Sequence, residues 1–206
     1  MAEVKIPING QTLDGTLIIP EEATRIVVFA HGSGSSRLSP RNKHVAEILN
    51  TAGMATLLFD LLTIQEERDV ANVFNIELLA DRIVSGLNWI AGQPIVGLLP
   101  VGLFGASTGA AAALIASTIT QRQITAIVSR GGRPDLAGYL LEEVKAPTLL
   151  IVGEQDLEVL VLNQVAASRF NCEHEIAIIP RATHLFEEPG TLDLAANAAK
   201  DWFMTH

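Results

Sequence analysis

The sequence predicts an α/β chain, a mostly parallel sheet of eight strands with helices on both of its faces. Continuous apolar runs recur along it, the pattern of strands covered above and below. Helix-like segments separate those runs, so strand and helix alternate from about residue 25 to the end. Apolar residues make up 49% of the 206 and charged ones only 18%, which demands a packed interior and fits one domain over residues 1–206.

The elements follow in chain order. Val4 to Ile8 and Leu13 to Ile19 read as two short strands joined through Asn9-Gly10, a pair that accepts the positive φ angles of a tight hairpin. IVVFA (26–30) is the first of the buried runs. Ser39-Pro40 then reads as an N-cap with proline in the first helical position, opening a helix that ends near Gly53. ATLLFD (55–60) is the next strand, and Thr63 to Asn75 is the least patterned stretch of the chain. Helices over Ile76–Ala91, Ser107–Ile119, Glu158–Ser168 and Thr191–Phe203 alternate with the runs VGLF (101–104), TAIVS (125–129), TLLIV (148–152) and EIAII (175–179). Between Ser129 and Pro147 there is room for a loop and a short helix only, so no cap domain is expected, and Thr63 to Asn75 is the candidate flap over an open site.

Lys and Arg number 14 against 23 Asp and Glu, a formal charge of −9 that disfavours nucleic acid and anionic membrane surfaces as partners. The N-terminus has no secretory pattern and no apolar run reaches bilayer-spanning length. Cys172 is the one cysteine, which excludes an intramolecular disulfide and a thiolate cluster. Together these point to a cytoplasmic protein. His44, His174 and His206 lack partners at metal-ligand spacing, and neither a metal nor a cofactor is expected.

In an open parallel sheet, ligands bind beyond the carboxyl ends of the strands. The residues that follow the apolar runs are therefore the informative ones: His31-Gly32-Ser33-Gly34-Ser35-Ser36, Gly105-Ala106-Ser107-Thr108-Gly109, Gly153-Glu154-Gln155-Asp156 and Ala182-Thr183-His184. The second is a G-x-S-x-G motif, in which the glycines let strand and helix close around a sharply turned serine. A serine hydroxyl needs a base within hydrogen-bond reach, and His184 supplies the residue type that can take and return its proton. Asp156 would hold the other ring N–H, with Glu154 and Glu158 as nearby rivals. The backbone N–H of Thr108 and a donor at Ser33 are the expected oxyanion hole.

Nucleophile, acid and base thus run in the order Ser107, Asp156, His184. With FAHGSGSS, GLFGASTG, APTLLIVGEQD and PRATHLFEEPG, this order makes the sequence resemble the α/β-hydrolases and, within them, the dienelactone hydrolase family, over nearly the whole chain. The resemblance implies the three-layer α/β-hydrolase fold and cleavage of small carboxylic esters or lactones without a cofactor. Dienelactone hydrolase proper uses a cysteine nucleophile where this chain has Ser107, so the resemblance implies serine ester hydrolysis rather than that one lactone. A catalytically silent binding or regulatory module, or a thioesterase or peptidase, are the alternative readings.

Arg130 and Arg133 follow the sixth strand at the same edge. Each could brace a loop or anchor a substrate carboxylate through its guanidinium fork. His31 reads as closing the turn before the oxyanion loop, Cys172 as an apolar filler, and Glu187 and Glu188 as the acidic lead-in to the last helix.

Overall fold

The computed structural model describes residues 1–206. Eight strands form a single sheet: β1 (Ala2–Ile8), β2 (Gln11–Ile18), β3 (Arg25–Ala30), β4 (Met54–Phe59), β5 (Val101–Ala106), β6 (Ile124–Arg130), β7 (Thr148–Gly153) and β8 (His174–Ile179). Their spatial order is β1-β2-β4-β3-β5-β6-β7-β8. β2 pairs antiparallel with β1 and with β4, and every other neighbouring pair is parallel. Asn9 and Gly10 turn the first hairpin at φ 36° and 81°.

Six α-helices cover the sheet: α1 (Pro40–Thr51), α2 (Val70–Val73), α3 (Ile76–Ala91), α4 (Thr108–Ile119), α5 (Leu157–Ala167) and α6 (Thr191–Thr205). One apolar layer unites one face of the sheet with α3 and α4 through residues such as Val28, Leu57, Ile83, Leu87 and Leu114. A second, on the opposite face, packs Phe29, Phe104 and Ile151 against α1 and α6 through Val45, Leu49 and Phe203. Ser39 caps α1 by accepting Asn42 N–H, with Pro40 at the first position, as its sequence directs. α4 is buried from Thr108 through Ala116, and Ala110–Ala113 give it the slim section that lets it sit under β3 and β5.

The β6–β7 connection holds only 3₁₀ turns over Pro134–Glu143, so no cap domain rises over the carboxyl edge of the sheet. The stretch from Thr63 to Asn75 carries more order than its sequence suggests. It forms a 3₁₀ turn at Glu66–Arg68 followed by α2, and Glu66 ties it down by accepting Thr63 N–H and the Arg82 guanidinium. No helix is long and apolar enough to cross a membrane.

Candidate active site

Ser107 stands between β5 and α4 with φ 51° and ψ −124°, a conformation that costs a non-glycine residue about 1–3 kcal/mol. Its neighbours make the turn possible. A Cβ on Gly105 would lie 2.7 Å from both Ala110 N and Gly109 O, and one on Gly109 would overlap Ala30 O and lie 2.5 Å from His31 O. Strand, turn and helix therefore interlock at backbone distance, and the serine is held out at the sheet edge.

Asp156 sits at the N-cap of α5, yet its side chain does not cap that helix. It turns to His184 instead, with Oδ2 2.7 Å from Nδ1. The carboxylate side chain is 13% exposed and the imidazole 40%. This pairing places the proton on Nδ1, donated to Asp156, and leaves Nε2 as the acceptor nitrogen. Gly153 brings the two loops together, since a Cβ there would lie 2.8 Å from Thr183 O. Glu154 points elsewhere and accepts Arg181 N–H at 2.8 Å, while Glu158 is exposed. Of the three acids only Asp156 reaches the histidine.

Ser107 and His184 face one cavity of about 250 Å³, also lined by Gly32, Ser33, Arg41 and Arg130. No hydrogen bond joins Ser107 Oγ to the imidazole. A larger cavity of about 620 Å³ adjoins it along the serine-rich loop 33–39, with Glu67, Val73 and Leu79 on its far wall. The Thr108 N–H, first in α4 and next to Ser107 in the chain, has no hydrogen-bond acceptor. Ser33 N–H donates to Thr108 Oγ1 at 2.9 Å. Of the two expected oxyanion donors, one is free and the other is held by a neighbouring hydroxyl.

His31 is buried and bridges two loops, accepting Leu61 N–H on Nε2 while Nδ1–H donates to Gly32 O. Burial holds its pKa below the usual histidine value of 6.5, which keeps the ring neutral. The two arginines separate sharply. Arg133 is committed to Asp135 through two hydrogen bonds of 2.9 and 2.8 Å, and these hold its pKa up, so the expected anchor at this position is an ion pair with a near neighbour. Arg130 is 7% exposed and meets no carboxylate; Nη2 donates to Asn42 Oδ1 at 3.3 Å, and Nη1 has no partner. Its guanidinium lies 5.8 Å from the Phe104 ring centre and 5.9 Å from that of Phe186. Burial, with Arg41 nearby, pushes its pKa down to about 10.

Other residues shape the site in ways that the sequence did not indicate. Gly131, at φ 51°, backs the His184 ring, where a Cβ would lie 3.7 Å from Cε1. Glu188 accepts both Thr183 N–H and Thr183 Oγ1–H, bracing the histidine loop, and these bonds lower its pKa. Glu187 pairs with Arg41 at 3.4 Å. Both glutamates precede α6, which starts at Thr191 behind Gly190, and their carboxylates serve Arg41 and the histidine loop. No group of three His, Cys, Asp or Glu side chains is gathered in a metal-ligand arrangement.

Comparison with known proteins places this geometry. No family model matches the chain. The crystal structure of dienelactone hydrolase from Anabaena variabilis is 51% identical, with a TM-score of 0.95 over 100% of this chain and 97% of that one. Est1E from Butyrivibrio proteoclasticus shares the fold at 16% identity and a TM-score of 0.84 over 100% of this chain and 98% of that one. Curated relatives in two strains of Mycobacterium tuberculosis, named provisionally as phosphoribosyl transferases, are 56% identical over 204 residues. Those 204 residues are 99% of this chain and 46% of each relative, so the chain spans about half their length.

Proposed function

The chain belongs to the dienelactone hydrolase family of α/β-hydrolases, and from that premise we propose that it cleaves small carboxylic esters or lactones through an acyl-enzyme on Ser107. The observation that carries the reading is the Asp156–His184 hydrogen bond at 2.7 Å, opening on the same cavity as a strained serine. With Nδ1–H fixed by Asp156, Nε2 takes the Ser107 proton as Oγ attacks the carbonyl carbon. The tetrahedral oxyanion accepts Thr108 N–H and draws Ser33 N–H away from Thr108 Oγ1. As the carbon–oxygen bond to the leaving group breaks, the imidazolium returns its proton to the departing alkoxide. Water then repeats the sequence on the acyl-enzyme and releases the acid. The uncapped site and the two adjoining cavities suit small substrates.

The name carried by the mycobacterial relatives describes proteins about twice as long, and the serine, histidine and aspartate of this chain support acyl transfer instead. The test is a fluorophosphonate probe together with a panel of p-nitrophenyl esters, lactones and thioesters. Ser107 is expected to be the labelled residue, and Ser107→Ala to lose both labelling and turnover. Absence of labelling in a folded parent returns the chain to a silent binding module; a preference for thioesters replaces the ester assignment.

A further inference from the structure

We infer that the cavity beside Ser107 contains a phosphate subsite, formed by Arg130, Arg41 and the N-terminus of α1, which selects esters or lactones bearing a phosphate monoester. The inference rests on the acyl-transfer reading of Ser107 and specifies the substrate for it. Arg130 is the first observation. Its guanidinium is buried, no carboxylate answers its charge, and Nη1 has no hydrogen-bond partner. Burying a cation is unfavourable unless something neutralises it, and a bound anion would do so. Arg130 could serve only to brace α1 through Asn42, but a neutral donor would make that bond without the burial cost.

The second observation is what surrounds it. Arg41 lines the same cavity and adds a second positive charge, drawn off only in part by Glu187, whose side chain is 65% exposed. α1 is a 12-residue helix whose N-terminus also lies on this cavity, with Ser39 and Asn42 in its wall. Ser39 Oγ satisfies Asn42 N–H, and the Arg41 N–H remains without an acceptor. With that one open amide, the helix start favours an anion through its dipole as well as its donor.

The geometry discriminates between anions. Donors come from two elements, Arg130 at the end of β6 and the side chain and N–H of Arg41 in the first turn of α1, and both residues line one cavity. A planar carboxylate has two oxygens and one charge, and it would leave part of such a cradle unanswered. A phosphate monoester offers three terminal oxygens and close to two charges, matching two guanidinium groups and a helix terminus. Arg133, bound to Asp135, lies outside this arrangement.

Inorganic phosphate titrated into the Ser107→Ala protein, followed by calorimetry, tests the subsite without requiring turnover. The expected result is saturable one-to-one binding, at least tenfold tighter than acetate at equal ionic strength. Arg41→Gln, a change at a partly exposed side chain, should weaken it about tenfold, and Arg130→Met should abolish it. In the active parent, an aryl ester ending in a phosphate monoester should exceed a neutral ester of equal length at least tenfold in kcat/KM, and Arg41→Gln should reduce that preference. No saturable phosphate binding, acetate binding as tightly, or binding unchanged by Arg41→Gln overturns the subsite. Phosphate binding without preference for the phosphorylated ester overturns its assignment to substrate. Loss of all esterase activity in a parent that still binds phosphate would instead count against the acyl-transfer reading.

Discussion

Replacing Asp156 by Asn keeps the shape of the side chain and removes its charge, which isolates the electrostatic part of its proposed role. Oδ2 lies 2.7 Å from His184 Nδ1, and the carboxylate is 13% exposed, so the imidazolium formed on proton transfer faces a nearly desolvated counter-charge. Two unit charges about 4 Å apart attract by about 4 kcal/mol at an effective dielectric of about 20, and 1.4 kcal/mol is tenfold in rate. The 40% exposure of the imidazole screens part of that attraction. Against this, an asparagine amide can donate to Nδ1 and so favour the tautomer that cannot accept the serine proton. The two effects together predict a fall in kcat of about 10³-fold, measured with saturating p-nitrophenyl butyrate, while the thermal midpoint moves little. Glu154→Gln is the paired control, because Glu154 accepts Arg181 N–H and does not touch the histidine. It should leave kcat within about threefold of the parent. If Asp156→Asn stays within tenfold of the parent, or Glu154→Gln is the crippling change, the assignment of the orienting acid is wrong.

The remaining predictions concern stability. His31 accepts Leu61 N–H only while neutral, and its depressed pKa means that the folded state binds fewer protons than the unfolded chain; its contribution is therefore complete above pH 6.5 and is lost as pH falls below it. Urea midpoints at pH 7.5 and 5.5 should fall further in the parent than in His31→Gln, and equal falls would remove the titration of His31 from the account. Gly109→Ala would drive a Cβ into the carbonyls of Ala30 and His31, neither of which can rotate away, so a loss of about 3 kcal/mol or more is expected by denaturant unfolding; a loss below about 1 kcal/mol would show that the turn is not interlocked. Alanine usually exceeds glycine in stability by about 0.4–1 kcal/mol, but at Ser107, with φ 51°, the order should reverse, and Ser107→Ala melting above Ser107→Gly would refute backbone strain at that position.

The strands and main helices were legible because their signals are local. Continuous apolar runs gave β3 to β8, although the edge strand β8 buries only Ile179, and Ser39-Pro40 gave the start of α1, since an N-cap and a fixed proline φ act within one turn. The serine, aspartate and histidine were legible because strand order carries their positions to one edge. What failed depended on contacts between distant segments or on burial. Arg130 and Arg133 look alike in SRGGRPD, yet β6 carries the first beneath α1 and leaves the second beside Asp135. That acid, two residues away, was a readable warning. Arg41 could have been found by extending the helix start at Ser39 to the sheet edge it faces. The bond from Ser33 N–H to Thr108 Oγ1 spans 75 residues, and the Glu188 carboxylate reaches back to Thr183. Neither pattern repeats along the chain in a way that periodicity can detect.

Three residues at the carboxyl edge of the sheet depart from what comparable residues of the chain mostly do. Ser39, Asp69 and Asn75 each cap their own helix with a side-chain oxygen, a contribution of about 1 kcal/mol, whereas Asp156 occupies the same position on α5 and gives its carboxylate to His184. Ser107 adopts a positive φ where glycine would be unstrained, although the chain places glycine at most of its other left-handed turns. Arg130 is buried without a counter-ion, although Arg37, Arg82 and Arg169 all have one. Each departure lowers stability where a neighbouring residue type would raise it, and each is tied to one cavity: Ser107 and Arg130 line it, and Asp156 reaches it through His184. Their convergence at one cavity means that the interlocked glycines and the buried α4 sustain a local arrangement that folding alone does not require, and it is this concentration of cost, more than any one residue, that supports the proposed assignment of the site.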